Sequence, residues 1–95
     1  MDEQRKYFRI KNTGEIQASF NNHALEVIDL SASSAALRTE KELPAAGIIE
    51  LKINQFTLDI AFELLRVNPD HSVILVFTQE EQIEKLFPVL KNLRK

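Results

Sequence analysis

Two arginines, Arg5 and Arg9, stand four residues apart in a basic stretch that also holds Lys6 and Lys11. Further along, Asp29-Leu30-Ser31-Ala32-Ser33-Ser34 sets one carboxylate and three hydroxyls close together. An arginine fork presents paired N–H donors to phosphate oxygens or to the acceptor edge of a base, and its plane stacks on aromatic rings. A carboxylate does the reverse and accepts from paired N–H donors. Together the groups suit a ligand that carries negative charge and a hydrogen-bonding edge. Taken singly, each has a plainer role. Terminal arginines solvate an arm, and Asp29 with Ser31 shapes an Asx-type corner between strands.

Other chemistry is thinly represented. His23 and His71 are the two histidines, and neither has a carboxylate or histidine at metal-ligand spacing, so no metal site is expected. The chain has no cysteine, hence no disulfide framework, thiolate zinc site or cysteine nucleophile. No serine stands in a G-x-S-x-G setting, and Gly14 and Gly47 are too few for a phosphate-binding glycine loop. Glu80, Glu81 and Glu84 read as a solvated helix face. No nucleophile–base pair is apparent, so neither an enzyme nor a cofactor is expected.

The elements that must hold these groups follow from periodicity. Residues 1–14 lack an apolar period and end in the turn signal Asn12-Thr13-Gly14. Strands are expected over Glu15–Phe20, Ala24–Leu30, Ala35–Thr39, Gly47–Ile53, Phe56–Val67 and Ser72–Thr78, on alternating apolar residues. Asn21-Asn22, Asn54-Gln55 and Asn68-Pro69-Asp70 supply turns, and a loop about Pro44 joins the third and fourth strands. Thr78-Gln79-Glu80-Glu81 reads as a capping box ahead of a helix whose stripe is Ile83, Leu86, Phe87, Leu90 and Leu93. Pro88 is expected to kink that helix or to start a second piece. So many short strands in 95 residues favour closure into a barrel, which removes sheet edges. The expected architecture is mainly β, a six-stranded antiparallel barrel with a C-terminal helix. It forms one domain, 1–95, divided into an arm (1–14), the barrel (15–78) and the helix (79–94).

Arg5-Lys6-Tyr7-Phe8-Arg9-Ile10 followed by Asp29-Leu30-Ser31-Ala32-Ser33-Ser34 resembles the paired signatures of the PilZ family, R-x-x-x-R and [DN]-x-S-x-x-G. Ala36-Leu37-Arg38-Thr39, Leu43-Pro44, Gly47 and the later strands and helix are similar to the family's order of parts. The resemblance covers nearly the whole chain and implies a barrel of PilZ-like, split-barrel type. It also implies a cytoplasmic bacterial receptor for cyclic di-GMP, a ligand with two guanines and two phosphates. On that pattern Arg5 and Arg9 chelate guanine O6 and N7 or phosphate oxygens. Asp29 accepts from the guanine N1–H and N2–H. Ser31 bonds to base or phosphate, or holds its loop. Ser34 stands where the pattern has glycine, and Gln4 where many members carry another arginine. Glycine permits a positive φ or close approach of backbone to ligand. A serine forced into such a conformation costs about 1–3 kcal/mol, roughly 10- to 100-fold in affinity. Two readings result: a cyclic di-GMP receptor that signals through a partner protein, or a degenerate PilZ-like interaction module that does not bind the nucleotide.

Composition bounds both. A net charge of −2 disfavours a general nucleic-acid binder, which needs a broad basic surface. The first residues lack the apolar core of a secretory signal, and the longest apolar run, Val73–Phe77, is too short to span a bilayer. No membrane insertion is expected, and a reducing cytoplasm fits the absence of cysteine.

Overall fold

The structure, a computed structural model, describes residues 8–94. Its elements in chain order are β1 (Ile10–Lys11), β2 (Ile16–Phe20), β3 (His23–Leu30), β4 (Ser34–Arg38), β5 (Ala46–Ile53), β6 (Phe56–Val67), β7 (Ser72–Phe77) and α1 (Glu80–Arg94). All pairings are antiparallel. The ladder runs β3-β2-β5-β6-β7-β4, and β4 pairs back onto β3, so six strands close a barrel. β1 is a seventh strand outside that ring, matching Ile10 to Leu30 and Lys11 to Asp29. The expected fold class therefore holds. The strand ends shift by one residue in places: β4 begins at Ser34 instead of Ala35, and β7 ends at Phe77 instead of Thr78.

The turns behave as their chemistry dictates. Asn21 (φ 50) and Asn22 (φ 68) both take positive φ between the paired residues Phe20 and His23, as a two-residue hairpin of type I′ requires. Asn54 (φ 55) does so between Ile53 and Phe56. Gly14 (φ 117) turns the chain from β1 into β2, a conformation that side chains disfavour.

Inward residues of the strands form the core, with Leu30, Leu37, Ile49, Leu51, Ile60 and Leu75 fully buried. Leu86 and Leu90 of α1 are also fully buried, with Ile83, Phe87 and Leu93 packed partly against the same core. The helical stripe is therefore core packing. Two details of the helix bear on the expectation. The first intrahelical bond runs from Ile83 N–H to Gln79 O (3.1 Å), so Gln79 is the N-cap and the box centred on Thr78 does not form. Of the two outcomes open at Pro88, a second helical piece does not occur: one helix runs from Glu80 to Arg94. Pro88 and Glu84 both lie on the exposed face, where water can serve the carbonyl that the proline leaves without a donor. Gln82 ties the helix to the barrel, its Oε1 accepting from Ala61 N–H at 2.8 Å.

Candidate functional site

Arg9 lies just ahead of β1, and Asp29 and Ser34 lie on β3 and β4. Their side chains meet on the outer face of the barrel. Arg9 Nε donates to Asp29 Oδ1 at 3.0 Å, and Nη2 donates to the same oxygen. Nη1 donates to Ser34 Oγ at 2.7 Å. The Arg9 side chain is 44% exposed and that of Asp29 26%, so the pair is open to solvent. The guanidinium has five N–H donors, and these three bonds leave one N–H on each Nη. Asp29 Oδ2 has no partner among the described residues.

Asp29 reaches this face through an irregularity that simple alternation does not reveal. Leu25 and Val27 point into the barrel, and strict alternation would send Asp29 inward as well. Val27 pairs with Leu37, but Asp29 pairs with Ala36, which leaves Ile28 as an extra residue in a β-bulge. The bulge reverses the parity, so Asp29 faces outward while Leu30 returns to the core at 0% exposure. The sequence hint was a carboxylate at an otherwise apolar, inward position.

Ser31 is 2% exposed. Its Oγ accepts from Ser33 N–H (3.2 Å) and Ser34 N–H (3.1 Å), and its own N–H donates to Ser34 O (2.8 Å). These bonds hold the β3–β4 turn, one of the two roles expected for Ser31. Ser34 departs from expectation. It is an ordinary strand residue outside the set with positive φ, so no backbone strain attaches to it. Its hydroxyl instead completes the seat of Arg9.

Phe8 anchors the arm, its ring 5.8 Å from that of Phe87 on α1. Lys91 Nζ lies 5.7 Å from the Phe87 ring centre. Arg5, Gln4 and Tyr7, which the sequence pattern also singles out, lie outside the described residues. His23, the first residue of β3, and His71, in the β6–β7 turn, lie at the barrel end away from Ser31–Ser34, and no group of three potential metal ligands occurs among the described residues.

Residue Asn12 carries no weight in the sequence pattern beyond its turn signal, yet it touches three segments. Its Oδ1 accepts from Gly14 N–H (2.9 Å) and Ile16 N–H (3.1 Å), and its Nδ2 donates to Ile16 O and Val27 O, both at 2.9 Å.

An outer-face clamp of arginine and aspartate on a closed six-stranded barrel, with a helix over one end, defines a known class of domain. Residues 9–95 match the family described as PilZ domain-like, and the chain belongs to that family. A crystal structure of an uncharacterised Legionella protein is similar, with 38% identity over 92% of this chain and 94% of that one, at a TM-score of 0.86. No curated protein matches the chain.

Proposed function

We propose that the chain is a cyclic di-GMP receptor that passes its signal to a partner protein. The supporting observation is the meeting of Arg9 and Asp29 on the open outer face, with two N–H groups and one carboxylate oxygen left over. The pair offers donors and an acceptor side by side. Guanine presents the complement: O6 and N7 accept, while N1–H and N2–H donate. Arg9 would hold the acceptor edge or a phosphate, and Asp29 Oδ2 the donor edge. Membership of the PilZ-like family supports the same ligand. Arg5 is assigned a second guanidinium contact on the sequence pattern alone. A binding module, not an enzyme, is the class this arrangement suits, and the cytoplasm is where its ligand would be met. The proposed partner reads the arm and the neighbouring barrel face.

A second reading is favoured by one observation. Ser34 Oγ takes a third bond from Arg9, so the clamp is substantially satisfied by its own side chains. On that reading the chain is an interaction module that no longer binds the nucleotide.

Titration calorimetry with cyclic di-GMP separates the two. The receptor reading expects heat of binding with the unaltered chain. It also expects Arg9→Ala or Asp29→Ala to weaken affinity by about 10- to 100-fold or more, the worth of a hydrogen bond to a charged group. Absence of heat at high micromolar ligand sinks it. Binding acquired only by Ser34→Gly, which frees Arg9 Nη1, establishes the second reading.

A further inference from the structure

We infer that Asn12 is the positioning residue of the clamp, holding both Arg9 and Asp29 in place before any ligand arrives. The role rests on the assignment of Arg9 and Asp29 to ligand binding, and adds a residue that the motif pattern omits.

The arm and the bulge both depend on Asn12. In a regular strand successive carbonyls point to opposite neighbours. Here two successive carbonyls, those of Val27 and Ile28, both accept from Asn12: Val27 O from Nδ2 (2.9 Å) and Ile28 O from the backbone N–H (3.0 Å). These carbonyls flank the bulged residue. Without partners they would favour relaxation of the bulge, and the bulge is what turns Asp29 outward.

The same side chain closes the turn from β1 into β2 through Gly14 N–H, Ile16 N–H and Ile16 O. All four side-chain hydrogen-bonding positions of the amide are thereby used. β1 has two residues and pairs only with β3, too little to hold its place alone. Asn12 follows it directly, so fixing Asn12 fixes the register of Ile10 with Leu30 and of Lys11 with Asp29. That register delivers Arg9 to Asp29 and Ser34. One amide thus sets the backbone under both halves of the ion pair.

Two substitutions and one control test this. Asn12→Ala removes all four side-chain bonds. Asn12→Asp keeps the acceptor for Gly14 and Ile16 but sets a carboxylate against the carbonyls of Val27 and Ile16. Thr13→Ala serves as the control, because Thr13 Oγ1 bonds only Glu15 Oε1 in the same turn. The readout is the Arg9 Nε–H resonance in NMR, which its bond to Asp29 should shield from exchange with solvent. Both Asn12 variants are expected to lose that protection while core amides such as Leu51 and Leu75 keep theirs. Thr13→Ala should retain it.

Cyclic di-GMP affinity, measured alongside, should fall about tenfold in Asn12→Ala, equivalent to about 1.4 kcal/mol for lost support. Retention of the Arg9 signal with only a lowered unfolding midpoint overturns the inference. If neither variant folds, the unaltered chain decides it. Slow exchange of the Asn12 Nδ2 protons, with contacts to Val27 and Ile16, supports the role, and fast exchange refutes it. If the unaltered chain binds no nucleotide, the receptor reading fails, while the Arg9 signal still decides the role of Asn12.

Discussion

At the scale of single residues, the clamp was partly legible in sequence and partly hidden. Arg9 and Asp29 stood out by type and spacing, and the structure joins them. Ser34 was legible only as a departure from a glycine pattern, and the expected penalty was backbone strain. No strain is present, and the hydroxyl makes a 2.7 Å hydrogen bond to Arg9, a contact between distant segments that no local reading supplies. Gly47 shows the reverse. It is opposite Phe62 in the β5–β6 ladder, and an added Cβ would lie 3.2 Å from Phe20 Cε1 and 3.3 Å from the Phe62 ring. Those rings pack edge to face with centroids 6.1 Å apart. Gly47→Ala is expected to cost about 1–3 kcal/mol through overpacking, as read by urea denaturation, with the Arg9–Asp29 pair unaffected.

Among the elements, the strands were legible because their core-facing residues alternate cleanly, above all in β5 and β6. β1 was not, because two residues carry no period and the pairing partner is distant in sequence. On sequence alone Pro88 left a kink or a second helical piece open; α1 continues through it, with Pro88 on the exposed face where water can serve the Glu84 carbonyl. The β6–β7 turn yields a prediction in pH. Asp70 Oδ1 accepts from Ser72 Oγ (2.7 Å) and Ser72 N–H (3.1 Å). The Ser72 hydroxyl chiefly, then its N–H and the charge of Arg38, hold the Asp70 carboxyl below its ordinary value of 3.8. A carboxyl lowered in the folded state stabilises above its unfolded value, and that contribution disappears as the pH falls through the folded value. Asp70→Asn is therefore expected to be less stable than the unaltered chain near neutrality. The gap should narrow as thermal melts are taken below pH 3.8.

For the whole molecule, closure dictates behaviour. Every barrel strand is paired on both sides, and α1 places Leu86 and Leu90 in the same core. No barrel strand, nor α1, can leave without opening that core. The helical and strand signals in far-UV circular dichroism, and exchange of the Ala61 amide that Gln82 holds, should report one unfolding transition. A helix signal lost at lower denaturant than the strand signal would contradict this. The architecture was legible because too many short strands in a small chain leave a barrel as the economical closure. The order in which those strands pair, with β4 returning to β3, depends on contacts that periodicity does not encode. No helix among the described residues is long and apolar enough to cross a membrane.

The bulge at Ile28 also bears on how such chains vary in length. Removing Ile28 altogether would leave Val27 opposite Leu37, Asp29 opposite Ala36 and Leu30 opposite Ala35, the pairs already present. The deletion would forfeit the carbonyl that the Asn12 N–H caps, but not the outward aim of the carboxylate. Loss of Ile28 therefore keeps Asp29 facing outward, whereas straightening the strand with Ile28 in place would turn it inward. The separation of twenty residues between Arg9 and Asp29 thus includes one bulged residue, Ile28. A search for distant relatives should let that spacing float by one.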